Sequence, residues 1–336
     1  MIAVVTGGSG FIGRNLVARL LREGHEVRCL VRPSGGAAPE GAKRYLVRLD
    51  DPRSLENCAA FDGAHVVFHL AAATKAASEE DFVAANVLPT RNILGALTKR
   101  RLYPKMVLVS SQAAAGPATD RNSPVTENDS PRPVEAYGRS KLEAERVAIA
   151  ASDHLPITIV RPCSTLGPHD RDFLTLFRMA ERGVVLYPGV SEHWLSLLHV
   201  DDVVDGLLAA ARRDTSIPRT FFLSSSEPVQ WRALGEQIAA SVGRRARHVN
   251  VPSSLVRTAS FAGEWIGKLT GSATLANTSK AELSRHPYWV CSGRRAEEEL
   301  HFRPTRSLPR AIQDTYLWYR QNGWMRGSRR ADSAVA

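Results

Sequence analysis

The stretch that decides the fold is IAVVTGGSGFIGRNLVARLLREGHEVRCLVR, from Ile2 to Arg32. It begins with a short apolar run, continues through closely spaced glycines, and then carries leucines at helical spacing as far as Gly24. A second apolar run closes the stretch. This order predicts a strand, a tight turn, a helix and a second strand, joined as a βαβ unit.

The glycines of the turn have the spacing G-x-x-G-x-x-G. Without side chains the backbone can turn sharply and approach a pyrophosphate, while the helix N-terminus offers N–H groups and the positive end of its dipole. Between a predicted strand and a predicted helix, this spacing indicates a dinucleotide-binding turn. The predicted cofactor contacts in it are Gly7, Gly10, Phe11, Ile12 and Gly13.

The end of the second strand bears on which dinucleotide is bound. An acidic residue there would accept a hydrogen bond from the adenosine ribose of NAD, but this strand ends in Val31 and Arg32. A guanidinium pairs with a 2′-phosphate and accepts no hydrogen bond. NADP is therefore favoured as the cofactor, NAD stays open, and a plain surface role for Arg32 is the alternative.

Further along, strand-like apolar runs alternate with helical patterns as far as Pro162. The runs AHVVFHLAAAT, PKMVLVSSQAAAG and PITIVRP are predicted strands, and DFVAANVLPTRNILGALTKR is a predicted helix. Such alternation predicts an α/β fold, a Rossmann-type doubly wound parallel sheet, with a smaller, mostly helical C-terminal substrate lobe. The predicted NAD(P)-binding domain covers residues 1–162 and about 196–225, the substrate-binding lobe 163–195 and 226–325, and a basic flexible tail 326–336.

Three features of this pattern have structural interpretations. His69 is interpreted as a packed core histidine, and Asp201 and Asp202 as helix caps rather than catalytic groups. The amphipathic segment 253–271 either packs on the protein's own core, lines a pocket for a bulky substrate, or touches a membrane surface.

The composition narrows the function classes. The 336 residues carry a net charge of +10, but the basic residues are scattered and no recognition motif accompanies them, so no nucleic-acid partner is expected. No apolar run is long enough for a transmembrane segment, and the N-terminal run lacks a signal-peptide pattern, which favours a cytoplasmic protein. The four cysteines have no paired spacing, so neither a disulfide framework nor a metal site is expected.

The stretch VEAYGRSKLEAERV carries the predicted chemistry. Tyr137 and Lys141 lie four residues apart, so both side chains can face the same side of a helix. A free phenol has a pKa of about 10 and is a poor base at neutral pH. A neighbouring ammonium favours the phenolate, so Lys141 is expected to lower the pKa of Tyr137. The alternative is an aromatic residue and a charge on a solvated helical turn.

Taken together, TGGSGFIG, HLAA, SSQAAAG and YGRSK resemble the motifs of the extended short-chain dehydrogenase/reductase family, which includes NAD-dependent epimerases and dehydratases. The resemblance implies that Tyr137 exchanges a proton with a substrate oxygen while a nicotinamide carries the hydride, and that Lys141 holds the nicotinamide ribose. It assigns the carbonyl-binding serine to Ser111, with Ser110 as a rival, and support of the lysine to Asn86. The further cofactor contacts that it implies are Leu49, Leu70, Ala71, Ala72 and Pro162, together with Tyr137 and Lys141.

Departures from the family pattern help to choose a reaction. The sugar dehydratases have an Asp-Glu pair where this chain has Gln112 and Ala113. The nucleotide-sugar epimerases bind a diphosphate with an asparagine and an arginine, where this chain has Ser164 and Leu195. Arg48 replaces the aspartate that lies near adenine in the family, which adds weight to NADP.

The sequence therefore predicts an NADP(H)-dependent oxidoreductase that interconverts a ketone and a secondary alcohol on a bulky, relatively apolar small molecule. It looks closest to the dihydroflavonol-reductase and 3β-hydroxysteroid-dehydrogenase-like branches. A nucleotide-sugar epimerase is the first alternative, and a non-catalytic NADP-binding sensor or assembly factor is the second. A homodimer is expected from the resemblance, and peripheral membrane contact stays open.

Overall fold

The βαβ unit predicted from the first stretch is present in the structure, a computed structural model that describes residues 1–188, 192–213, 218–251, 282 and 285–325. The strands, in chain order, are β1 (Ile2–Thr6), β2 (Glu26–Val31), β3 (Lys43–Leu46), β4 (Val66–His69), β5 (Lys105–Val109), β6 (Ile157–Pro162), β7 (Ser164–Leu166), β8 (Val184–Pro188), β9 (Trp194–Leu195), β10 (Leu197–His199), β11 (Arg219–Leu223), β12 (Val229–Gln230), β13 (Arg247–Val251) and β14 (Tyr288–Trp289). The helices are α1 (Phe11–Arg22), α2 (Pro52–Glu56), α3 (Glu79–Asn86), α4 (Leu88–Lys99), α5 (Ala136–Ala150), α6 (Asp172–Glu181), α7 (Val200–Arg212), α8 (Trp231–Ser241), α9 (Arg294–Leu300) and α10 (Leu308–Gln321).

The central sheet has seven parallel strands in the order β11-β6-β5-β4-β1-β2-β3. The strand order reverses between β1 and β4, so a crevice opens there at the carboxyl ends of the strands. Thr6 and His69 end these two strands and are paired in register at this point. The predicted Rossmann-type α/β fold is confirmed.

The sheet is buried on both faces because its side chains alternate in direction along each strand. On one face Val5 belongs to a cluster with Leu16 of α1 and Leu207 of α7. On the other face Val4 belongs to a cluster with Ile93 of α4. Apolar runs on parallel strands therefore correspond to two core layers rather than one.

Among the described residues beyond β6, helices pack together with short strands. A third apolar cluster includes Phe177 of α6, Tyr187 of β8, Ile238 of α8 and Tyr319 of α10. Small sheets accompany these helices, since β7 pairs with β10, β8 pairs with β13, and β9 lies between β12 and β14. The strands are mostly too short for their sequence period to be recognised.

One predicted helix is divided in the structure. The run DFVAANVLPTRNILGALTKR forms α3 and α4, with Val87 between them. Pro89 lies in the first turn of α4, where its missing N–H costs no helical hydrogen bond.

Some predictions fall outside the described residues, namely the amphipathic segment 253–271 and the basic tail 326–336. Across the part of the chain that is described, no helix is both long and apolar enough to cross a bilayer. The domain boundaries, the homodimer and the cytoplasmic location stay predictions.

The glycine turn offers a direct test of the packing. A Cβ added at Gly13 would lie 2.1 Å from the carbonyl oxygen of Gly7, so Gly13→Ala forces the backbone of the turn apart. We expect the free energy of unfolding to fall by about 1–3 kcal/mol. Urea denaturation of the purified variant measures this loss.

The matched control is Gly95→Ala on the exposed side of α4, where an added Cβ meets no atom within 4 Å. We expect this variant to gain about 0.5–1 kcal/mol, because alanine loses less conformational entropy in a helix. Equal effects of the two substitutions would show that the turn is not closely packed.

Candidate active site

Helix α5 begins against the turn that follows β5, and this contact places the start of α5 beside Ser111. Glu135 caps the helix, since its carboxylate accepts hydrogen bonds from the backbone N–H groups of Tyr137 at 3.0 Å and Gly138 at 2.7 Å. A Cβ added at Gly138 would lie 2.3 Å from the carbonyl oxygen of Ala113. The first turn of α5 therefore approaches the short 3-10 turn after Ser111 with backbone against backbone.

This approach brings the predicted serine and tyrosine together. The Ser111 hydroxyl oxygen accepts a hydrogen bond from the N–H of Ala113 at 3.1 Å, which leaves its own proton available. A hydrogen bond with Ser111 lowers the pKa of Tyr137, but burial is the larger influence and the nearby Glu135 acts in the same direction as burial. The pKa of Tyr137 is raised to about 12.

Lys141 is buried one turn further along α5, with 3% of its surface exposed. Its Nζ donates a hydrogen bond to the carbonyl oxygen of Val109, the last residue of β5, at 2.7 Å. Burial lowers the pKa of Lys141 to about 8, while the charge of Glu145 acts in the opposite direction.

The expected electrostatic effect of Lys141 on Tyr137 is wrong for this arrangement. The pKa of Tyr137 is raised rather than lowered, and Lys141 is not among the groups that shift it. The physical reason is that burial removes water from the phenol, which disfavours its charged form.

Asn86, at the end of α3, does not contact Lys141 directly. Its Oδ1 accepts from the N–H of Ala73 at 2.7 Å, and its Nδ2 donates to the carbonyl of Ala73 at 3.1 Å and to the hydroxyl of Ser140 at 2.9 Å. Ser140 in turn donates to the carbonyl oxygen of Tyr137 at 2.7 Å. Asn86 therefore fixes the turn of α5 that carries both Tyr137 and Lys141.

The rival serine lies in a different environment. Ser110 donates its backbone N–H to Val160 of β6 at 2.7 Å, and its hydroxyl is buried without a hydrogen-bond partner. Ser111, by contrast, is half-buried and interacts with Tyr137. The geometry favours Ser111 as the serine that faces a substrate.

The glycine turn fits an anionic ligand. Gly10 precedes α1, no side chain caps this helix, and its first turn contains no acidic residue. A Cβ added at Gly7 would lie 2.7 Å from the N of Ala71, so the turn also lies directly against the segment after β4. Uncapped N–H groups and a bare backbone suit a pyrophosphate.

The other predicted cofactor contacts differ in exposure. Phe11, Ile12, Leu70 and Ala71 are half-buried, and Ala72 is exposed, as expected for the rim of a groove. Gly13, Leu49 and Pro162 are buried. Their contact with a dinucleotide stays a prediction.

Arg32 and Arg48 lie at the edge of the sheet where the adenosine end of a dinucleotide is expected. Both are exposed, and Arg48 pairs with Asp50 at 3.1 Å. The hydrogen bond from Arg48 lowers the pKa of Asp50, and the charge of Arg32 contributes in the same direction. Asp50 was missed by sequence reasoning, although it follows Arg48 by two residues.

The start of α7 also differs from the expectation. The residue that caps this helix is His199, whose Nδ1 accepts from the N–H of Asp201 at 3.2 Å. Asp202 is buried and accepts hydrogen bonds from the N–H and hydroxyl of Thr305, and Arg306 pairs with Asp201 at 2.7 Å. Both aspartates are structural, but they bind the segment before α10 rather than cap α7.

Comparison with known proteins identifies the family of this chain. The model of the NAD dependent epimerase/dehydratase family matches residues 3–223. This chain belongs to that family. The predicted enzyme class, an NAD(P)-dependent dehydrogenase, reductase or epimerase of the extended short-chain dehydrogenase/reductase type, is confirmed at that level.

Among relatives of this family member, 4-hydroxy-2-methyl-3-oxo-4-farnesyl-3,4-dihydroquinoline-1-oxide ketoreductase of Stigmatella aurantiaca is 32% identical, over 79% of this chain and 80% of the relative. Ceramide reductase of Caulobacter vibrioides (strain NA1000 / CB15N) is 28% identical, over 96% of each chain. The crystal structure of gox2253 has a TM-score of 0.79 at 27% identity, and the match covers 97% of this chain and 99% of that one.

A buried ion pair joins α5 to β6 in this family member. Arg161 of β6 donates to the two carboxylate oxygens of Glu145 at 2.9 and 2.6 Å. The two side chains are only 6% and 2% exposed. Glu145 lies four residues after Lys141, a spacing that sequence analysis can find, whereas its partner on another strand leaves no local pattern.

This pair predicts a large effect of a small substitution. Glu145→Gln leaves the guanidinium of Arg161 buried without its counter-charge, so the free energy of unfolding should fall by about 3–5 kcal/mol. Chemical denaturation checks this value. The matched control is Glu143→Gln on the same helix, whose pairing with Arg146 at 3.2 Å is exposed and should be worth less than about 1 kcal/mol. Equal losses would mean that burial does not strengthen the inner pair.

Proposed function

We propose that this protein is an NADP(H)-dependent oxidoreductase that interconverts a ketone and a secondary alcohol on a bulky, relatively apolar small molecule. The observation that carries the proposal is the placement of Ser111 at the carboxyl end of β5, where its hydroxyl is near enough to Tyr137 to lower the pKa of the phenol, with Lys141 bound to the end of the same strand. Two neighbouring hydroxyl groups can bind one carbonyl oxygen from two directions.

The protonation state of Tyr137 suits the reductive direction. With a pKa of about 12, the phenol keeps its proton at neutral pH and can donate it to an oxygen that gains negative charge. Ser111 can donate a second hydrogen bond to the same oxygen, since its proton is not used by Ala113. When bound, a reduced dinucleotide would supply a hydride for the carbonyl carbon, and Tyr137 would give its phenol proton to the carbonyl oxygen to form the alcohol.

Lys141 holds α5 in place and provides a cation near the predicted ribose position. Its Nζ donates to Val109, and an ammonium has three N–H donors, so further donors can reach a ribose hydroxyl. The exposed Arg32, directly after β2, provides a charge for a 2′-phosphate. These two residues and the uncapped start of α1 are the groups that would hold NADP(H), with NAD(H) as the alternative.

Two positions support an apolar substrate over a nucleotide sugar. Leu195, at the place of the diphosphate-binding arginine of the epimerases, is buried in the third apolar cluster, beyond β6. Ser164 in β7 offers a hydroxyl in place of the asparagine. The two relatives named above also support the proposal, because one is named for keto reduction of a farnesyl-bearing quinoline and the other for ceramide reduction.

A sugar epimerase is the second candidate, because the family model that matches this chain includes epimerases. An epimerase ends its cycle with the dinucleotide unchanged, whereas net reduction consumes one dinucleotide for each product. The two candidate functions therefore differ in the number of dinucleotides consumed for each product molecule.

We expect purified enzyme to oxidise NADPH in proportion to product with at least one member of a panel of apolar ketones. Tyr137→Phe removes the proton donor and should lower kcat by about 100-fold or more, while the Kd for NADPH changes little. The absorbance of reduced nicotinamide measures the first quantity and fluorescence titration the second.

Ser111→Ala serves as the matched comparison, since it removes the second hydroxyl but leaves the phenol. It should lower kcat by less than Tyr137→Phe does. The proposal fails if Tyr137→Phe turns over every substrate at the wild-type rate, and the epimerase is favoured if UDP-sugars are interconverted without consumption of NADPH.

Cofactor choice gives a separate prediction. Arg32→Ser should weaken NADPH binding by about 10- to 150-fold, because a hydrogen bond to a charged group contributes about 1.5–3 kcal/mol, and should change NADH binding by less than about threefold. Calorimetric titration with each dinucleotide measures both values. Arg44→Ser, which removes an exposed charge from the adjacent β3, controls for the general loss of positive charge. A similar loss of NADH and NADPH affinity would argue against a 2′-phosphate contact.

A further inference from the structure

A line of buried hydrogen bonds crosses the crevice between β1 and β4. The Nδ1 of His69 lies 2.6 Å from the hydroxyl oxygen of Thr6, and its Nε2 lies 3.1 Å from the hydroxyl oxygen of Thr90 in α4. His69 is 2% exposed, and both threonines are fully buried. The imidazole therefore has a partner at each nitrogen and no access to water.

The two hydroxyl groups fix the direction of every proton in this line. Thr90 donates to the carbonyl oxygen of Asn86 at 3.0 Å, so towards His69 it can only accept. Nε2 therefore carries the proton of this hydrogen bond. In the neutral imidazole Nδ1 is then the acceptor, and the Thr6 hydroxyl, which accepts from the N–H of Ala71 at 3.0 Å, donates to it. Burial, followed by the charge of Lys141, lowers the pKa of His69 to about 3.

The two ends of the line reach the two halves of the candidate site. At one end, Ala71 lies against the glycine turn at Gly7. At the other end, Asn86 binds Ser140 in α5, and Ser140 binds the carbonyl of Tyr137. Hydrogen bonds thus connect Ala71, which lies against the glycine turn, with the helix that carries Tyr137.

We propose that His69 is a positioning residue, which as its Nε2–H tautomer couples the placement of the glycine turn to the placement of Tyr137. This role rests on the proposed function of Tyr137. Any buried imidazole needs a partner at each nitrogen. What distinguishes His69 is where its partners lead, since Thr6 binds Ala71 beside the glycine turn and Thr90 binds Asn86, which binds α5. Removal of one hydroxyl leaves a buried imidazole nitrogen unpaired, which favours a different side-chain position.

The tautomer is tested first, by long-range ¹H–¹⁵N correlation spectra of the full chain. We expect the His69 signals of an Nε2–H imidazole that does not titrate between pH 5 and 8. An Nδ1–H pattern, or titration within that range, overturns the inference.

The coupling is tested with Thr6→Val, Thr90→Val and the double variant. If the line acts as a unit, each single variant lowers kcat by about tenfold, and the double variant is no slower than the slower single variant. Thr90→Ser retains the hydroxyl and should recover kcat to within about twofold. Effects on kcat that multiply in the double variant, or a wild-type kcat in the folded single variants, overturn the inference.

The control for these variants is Thr158→Val in β6. Thr158 is fully buried, but its hydroxyl has no hydrogen-bond partner, so the same change in shape breaks no hydrogen bond. We expect its kcat to stay within about twofold of the wild type. A tenfold loss at this position as well would assign the effect to packing and overturn the inference.

Hydrogen exchange provides a readout that needs no turnover. In the wild type, saturating NADPH or NADH should slow exchange of the Val87 and Arg91 amides, which lie at the α3–α4 junction. In Thr6→Val this protection should be lost while protection at the glycine turn remains. Equal protection of these amides in both proteins overturns the coupling. In contrast, turnover by Tyr137→Phe at the wild-type rate would overturn only the proposed reaction.

Discussion

The geometry of the candidate site depends on one close backbone contact, the approach of Gly138 to the carbonyl oxygen of Ala113. No side chain fits there, because a Cβ would lie 2.3 Å from that oxygen. The start of α5 can therefore lie directly on the turn after β5, which places Tyr137 beside Ser111. One helical turn later, Lys141 reaches the carbonyl of Val109 at the end of the same strand. A hydroxyl pair and a buried cation thus follow from how closely one helix packs on one strand end.

Burial, rather than the nearest charge, decides the protonation states in this site. It raises the pKa of Tyr137 and lowers that of Lys141, so both groups are shifted towards their neutral forms. Glu145 opposes the shift of Lys141, but its carboxylate is also bound at both oxygens by Arg161. The buried pair supplies a carboxylate near the lysine without leaving an unpaired negative charge in the core. A phenol that retains its proton at neutral pH is consistent with the proposed role of Tyr137, in which the proton is donated as a substrate oxygen becomes negative.

Features with a local period were predictable from the sequence, and features that join distant segments were not. The βαβ unit and the strands of the central sheet follow from apolar runs and glycine spacing, but β3 escaped notice because its four residues KRYL are mostly exposed at the sheet edge. Tyr137 and Lys141 are recognisable because they lie one helical turn apart. The sign of the pKa shift of Tyr137 was not predictable, since it depends on how much of the chain covers the ring. His199 was missed as the cap of α7 because histidine is an unusual capping residue.

His69 shows why a correct prediction of burial can still be incomplete. Its place at the end of an apolar strand indicates a core residue, and it is buried. Its partners come from β1 and α4, which are distant in sequence, so no spacing predicts them. The reversal of strand order provides the physical reason for a polar line at this point, because the segments after β1 and β4 diverge there and the backbone N–H of Ala71 needs a partner that the sheet does not supply. The hydroxyl oxygen of Thr6 is that partner, and the same hydroxyl group forms a hydrogen bond with Nδ1 of His69. The hydrogen bonds that join the two sides of the crevice therefore lie at the same reversal of strand order that opens it.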